Sequence, residues 1–182
     1  MPGKPDTIIV SPVGEIAPWI TRLLAEKLTE VFGFKTRVTP LLRDLAFSHD
    51  PERNQYHSTP VLTELERQCP GDGLKVVAVT QEDLFIPILT HVYGEAQLGG
   101  RTCILSIARL ITGPDMGGLD AGAGRIVKEA IHELGHCFDL RHCQDDGCIM
   151  HYCRQLSDVD KKSHEFCRYC RIFLSDNIKT LG

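Results

Sequence analysis

No stretch of the 182 residues is apolar for the roughly 20 consecutive positions that a membrane-spanning helix needs. Basic residues are not in excess either. Twenty Lys and Arg against 24 Asp and Glu give a formal charge of -4 and a pI near 6.0. This balance offers no general attraction to nucleic acid or to an anionic membrane surface, so neither is expected as a partner. The stretch from Met1 to Gly14 has one lysine and only the short apolar run Ile8-Ile9-Val10, which reads as neither a signal peptide nor a membrane span. The expectation is a cytoplasmic protein. Internal repeats, low-complexity tracts and charge blocks are also missing. What remains is 42% apolar content, enough for one domain over residues 1–182 with its own core.

Hydrophobic periodicity orders the chain. Thr7 to Val10 reads as a strand, broken by Ser11-Pro12-Val13-Gly14 before an amphipathic helix from Pro18 to Phe32 that Gly33 stops. A second strand runs from Lys35 to about Leu41, residues 48–57 read as a long surface loop, and a short helix covers Thr59 to Cys69. Leu74 to Val79 is apolar and β-branched, as a strand at the sheet centre should be. Val92 to Ala96 and Thr102 to Ile107 add two strands around the Gly99-Gly100 turn. From Asp120 the pattern is helical, with Ala123, Ile126, Val127, Ala130, Leu134 and Phe138 on one broad face and His132 and His136 on the opposite one. A terminal helix follows Glu165. The fold class is α/β (α+β), a mixed sheet with helices packed on it.

Without a secretion signal, eight cysteines are better read as metal ligands and buried thiols than as a disulfide frame. On a helix, His132 and His136 are four residues apart, so both imidazoles leave one face and can share a metal. Glu133 follows the first ligand and is turned about 100° round the helix. There it stands beside the metal's open position and can take a proton from water. His142 is the third candidate ligand. The run from His132 to His142 resembles the HExxHxxGxxH motif of the metzincin zinc peptidases, with one departure: Asp139 stands where that clan has glycine. Asp139 either adopts the left-handed conformation that glycine supplies or binds the metal itself from a prolonged helix, leaving His142 free. Downstream, Cys143, Cys148, Cys167 and Cys170 form a closed four-thiolate zinc pattern, which leaves no position for water and is therefore structural. Cys69, Cys103, Cys137 and Cys153 belong to no pair and read as buried thiols.

HExxH ending in a histidine, then Cys with CxxxxCxM, then a distant CxxC, resembles the archaemetzincins. The match is most specific from Glu129 to Cys170; Arg53 to Tyr56, Asp83 to Phe85 and Tyr93 to Ala96 also look familial. The resemblance implies a metzincin-like twisted mixed β-sheet with packed helices, an active-site helix, a methionine turn and a C-terminal helix, and intracellular residence. Met150 fits the methionine turn, as an apolar floor beneath the imidazoles. Tyr152, two residues on, resembles the tyrosine of astacin and serralysin peptidases that reaches the metal and stabilises the oxyanion. The expected activity is zinc-dependent hydrolysis of peptide bonds in a peptide or protein substrate, with two Zn²⁺ per chain, one catalytic and one structural. The strand from Thr102 to Ile107, if it is the sheet edge, would pair with an extended peptide. A zinc-stabilised binding or regulatory protein is the alternative. A third reading, nucleic-acid recognition by Arg154, Lys161, Lys162, Arg168 and Arg171, stands behind both.

Overall fold

The computed structural model describes residues 5–111 and 119–181. Its strands are β1 (Thr7–Val13), β2 (Lys35–Val38), β3 (His49–Asp50), β4 (Gln55–His57), β5 (Gly73–Thr80), β6 (Leu84–Phe85), β7 (Gly94–Ala96) and β8 (Thr102–Ser106). The helices are α1 (Pro18–Phe32), α2 (Ser58–Gln68), α3 (Leu119–Cys137), α4 (Leu156–Lys161) and α5 (Arg168–Thr180). Five strands form one sheet in the order β2-β1-β5-β8-β7. The first four are parallel, and β7 runs antiparallel to β8. A smaller sheet has the order β3-β4-β6.

Alternation along the strands builds two cores, because successive side chains leave opposite faces. Ile8, Val10, Val77, Val79, Cys103 and Leu105 pack beneath α1, α3 and α5. Ile9, Val13, Val76, Ala78 and Ile104 pack against Val61, Leu62 and Leu65 of α2. Helix α1 takes Pro18 in its first turn, where the missing N–H is no loss, and buries Ile20, Leu24, Leu28 and Phe32 at a spacing of four. It ends at Gly33, whose φ of 75° is open to glycine and strained for most residues.

Several boundaries differ from those read in the sequence. β1 continues to Val13, because at Pro12 it pairs on one side only, with Val79, the edge-like setting in which proline is tolerated. β2 stops at Val38. Within residues 48–57, expected to be a loop, β3 and β4 form a hairpin whose turn is closed by Asn54 at φ 52°. These two strands, of two and three residues in a polar stretch, carry too little apolar alternation to be seen in sequence. β6 and α4 were not foreseen at all. β8 is not the sheet edge: it pairs with β5 and β7, and β7 is the outer strand. β5 is central, as expected. Among the described residues no helix is long and apolar enough to cross a membrane.

The end of α3 is pinned from below. The ring of Phe138 stacks on Phe32 at 5.2 Å and on Phe34 at 5.8 Å. Lys75, buried in β5, donates to the carbonyls of Cys137 (2.6 Å) and Gly100 (2.7 Å), placing a cation at the negative end of the helix. Phe138→Ala removes the stack and leaves a cavity. It should lower unfolding free energy by about 3–5 kcal/mol, measured by denaturant titration.

Candidate active site

The last turn of α3 and the segment after it bring three histidines together. Leu140 N–H donates to Gly135 O at 3.0 Å and Asp139 N–H to His136 O at 2.9 Å, the paired bonds of a Schellman turn. Asp139 holds the left-handed position at φ 64°. Its side chain is exposed against Gly99. The chain therefore reverses and returns His142 to His132 and His136, with ring centroids 5.4 and 4.8 Å away. One nitrogen from each of the three lies within 4.8 Å of the others, and Asp139 is outside this group.

The hydrogen bonds of the rings fix which nitrogens converge. Nδ1 of His132 donates to Ile149 O (2.9 Å), and Nδ1 of His136 to Leu140 O (2.7 Å). In a neutral imidazole the proton is then spent, and Nε2 carries a lone pair. Both rings are held neutral by burial, with the Lys162 ammonium adding to the effect on His132; burial lowers the pKa of His136 to about 4. His142 is lowered for the same first reason, its burial. The two Nε2 atoms stand 3.1 Å apart, lone pair facing lone pair. That arrangement is repulsive unless a cation lies between them. It also matches the edge of about 3.3 Å in a tetrahedron with zinc–nitrogen bonds near 2.05 Å. The donor set fits zinc.

Glu133 is buried beside these rings. Burial, and then the neighbouring Glu129 carboxyl to which it is hydrogen-bonded, push its carboxyl well above the usual range. Gly94 of β7 makes room for it: a Cβ there would stand 2.6 Å from Glu133 Cγ and 2.8 Å from Ile104 O. Gly135 does the same below the helix, where a Cβ would meet Met150 Sδ at 2.6 Å. Met150, fully buried, lies directly under the turn of α3 that carries His132 and His136. Tyr152 is exposed, its ring 5.0 Å from that of His142. A cleft of about 910 Å³ opens over the three histidines and is lined by Val92 to Ala96, Glu129, Glu133, Tyr152 and Lys162.

The cysteine cluster lies on the other side of the same loop. The four Sγ atoms of Cys143, Cys148, Cys167 and Cys170 fall within 4.8 Å of one another, and no disulfide joins them. Cys143 Sγ is 3.8 Å from Cys167 Sγ, the edge expected of a tetrahedron with zinc–sulfur bonds of about 2.3 Å. Backbone N–H groups of Cys167 and Cys170 donate to Cys148 Sγ (3.3 Å) and Cys167 Sγ (3.5 Å), orienting the sulfurs. Burial and the adjacent thiols push Cys170 upward, so four thiolates together need a cation.

Gly94 was expected to line the cleft without an assigned role, and it does line it. Sequence reasoning gave no role to Glu129, Gly135 and Lys162; of these Gly135 carries a usable signal, since it lies inside the motif. Lys162 was grouped with surface cations, yet it is 1% exposed and faces the cleft, which removes it from any nucleic-acid face.

Residues 62–176 match the family model described as Peptidase family M54. The chain belongs to peptidase family M54. The archaemetzincin of Methanocaldococcus jannaschii is 35% identical over 173 residues, covering 93% of both chains. The crystal structure of the archaemetzincin of Methanopyrus kandleri superposes with a TM-score of 0.85 at 34% identity, covering 97% of each chain. A zinc-dependent peptidase from Methanocorpusculum labreanum gives 0.81 at 30% identity, over 92% of this chain and 99% of that one. The fold is thus that of the archaemetzincins, and the chain is a zinc metallopeptidase, a hydrolase.

Two substitutions test the local geometry of this peptidase. Gly94→Ala displaces Glu133 and should lower kcat/KM roughly a hundredfold with zinc content unchanged, read by peptide hydrolysis beside metal analysis. Asp139→Gly relieves the left-handed residue and should change thermal stability by no more than about 1 kcal/mol, toward greater stability.

Proposed function

We propose that His132, His136 and His142 hold the catalytic zinc through their converging nitrogens and that Glu133 is the general base of peptide-bond hydrolysis, with the whole chain acting as one catalytic domain. The observation that carries this reading is the pair of facing Nε2 lone pairs, 3.1 Å apart, with Glu133 buried alongside. Bound there, zinc supplies Lewis acidity, polarising a substrate carbonyl and making water acidic near neutral pH.

The chain's own groups do the rest. Glu133 takes a proton from the attacking water and passes it to the leaving amine. Glu129 and Gly94 hold its carboxyl in place. β7, the outer strand of the sheet, borders the cleft and offers its open edge to an extended peptide or protein segment, the role expected of the strand from Thr102 to Ile107. Tyr152, beside His142, is placed to donate its phenol to the developing oxyanion. Cys143, Cys148, Cys167 and Cys170 hold a second, structural zinc, and Met150 supports the imidazoles from beneath.

Glu133→Gln should keep two zinc ions per chain by mass spectrometry and lose about 10²–10⁴-fold in peptide hydrolysis. His142→Ala should fall to one. Retained hydrolysis in Glu133→Gln would remove the base assignment. Cys170→Ser should also lose one zinc, and with it thermal stability, because binding free energy at a closed site is folding free energy.

A further inference from the structure

We propose that the cleft contains a carboxylate-recognition subsite centred on Lys162, which selects substrates with an acidic group on a residue flanking the scissile bond; this deepens the peptidase reading above and rests on it. Lys162 follows α4 and is 1% exposed. Its N–H donates to Asp158 O (3.2 Å), and the next residue, Ser163, donates to Gly147 O (3.0 Å). α4 is in turn strapped to α3 by the Arg125–Asp160 ion pair. The lysine is thus built into the wall.

Among the described residues three lysines are buried, and they differ in what meets the ammonium. Lys75 donates to two carbonyls at 2.6 and 2.7 Å. Lys128 donates to the carbonyls of Val159 and Asp160 at 2.9 and 3.1 Å. Lys162 has neither arrangement. Its Nζ lies 3.3 Å from Nδ1 of His132, whose proton is already given to Ile149 O, and beside the Cys153 thiol. Neither is an anion. The buried carboxyls of Glu129 and Glu133 feel the Lys162 charge but are hydrogen-bonded to each other, and among the described residues no carboxylate oxygen comes within ion-pair distance of Lys162.

A cation removed from water is costly until an anion or several acceptors meet it. Lys162 lines the cleft together with Cys153 and Arg154, at its buried wall. One imidazole ring separates it from the point where the Nε2 atoms converge. A group that meets Lys162 therefore sits on a residue adjoining the carbonyl under attack. A carboxylate fits the charge and the single ammonium, whether it is an Asp or Glu side chain or the C-terminal carboxylate of the substrate.

The test uses the zinc-loaded full chain and peptides alike except for Asp, Asn or Leu at either residue flanking one bond, each with free and amidated C-termini. The expected result is a preference for Asp over Asn of roughly tenfold or more in kcat/KM. In Lys162→Met and Lys162→Gln that ratio falls toward one, and Lys162→Arg restores part of it. Discrimination that survives amidation assigns the side-chain carboxylate; discrimination confined to free termini assigns the C-terminal one. In parallel, calorimetric binding of glutarate should weaken to the same degree in the variants, a readout that needs no turnover. Glutarate binding that depends on Lys162 in a chain that cleaves nothing would keep the subsite and sink the peptidase reading. Equal rates for Asp and Asn in the wild type, or glutarate binding indifferent to Lys162, overturns the proposal.

Discussion

Two hydrogen bonds organise this molecule: those from the Nδ1 atoms of His132 and His136 to the carbonyls of Ile149 and Leu140. Each spends the one proton of a neutral imidazole on the backbone of the segment that follows α3. The opposite nitrogens are thereby left as lone pairs aimed at one point, and the segment is tied to the helix at two places. Every other feature of the site presupposes this tie. The Schellman turn brings His142 back, Met150 comes to rest beneath Gly135, and Tyr152 emerges at the cleft wall.

Helix α3 must satisfy two surroundings at once. One face lies in the apolar core with Ile126, Ala130 and Leu134, and the other carries buried polar groups, Glu129, His132 and Glu133. Such groups are tolerated because each has a partner: a carbonyl for His132, and one carboxyl for the other in the case of the glutamates. Glycines at 94 and 135 let backbone and helix approach until these partners meet. Their place is set by what a methyl group would strike, and not by turn geometry.

The periodic elements were legible in the sequence because the physical signal that forms them is long. α1 spans four turns with one apolar stripe and a glycine stop, and β5 is a continuous run of buried side chains. His132 with His136, and each of the two cysteine pairs, could be picked out from spacing, whereas the choice between Asp139 and His142 for the third position stayed open until the turn at Asp139 was seen. Short pieces were lost: β3, β4 and β6 have two or three residues each, and α4 only six. The sheet edge was misplaced for a related reason, as strand order depends on pairings between distant segments. Lys162 was misjudged because a lysine beside another lysine looks solvated until the turn that buries it is seen.

His142 and Cys143 are neighbours in the chain, so the two clusters share a peptide bond. Cys143 is further fixed by its N–H to Met150 O and by its carbonyl to His151 Nδ1. Order in the cysteine cluster is therefore passed to the third imidazole through a single peptide bond, and under the proposed ligation any coupling between the two clusters would run equally in both directions, since linkage is reciprocal. One peptide plane thus belongs to both clusters, and a shift on the cysteine side carries the histidine side with it.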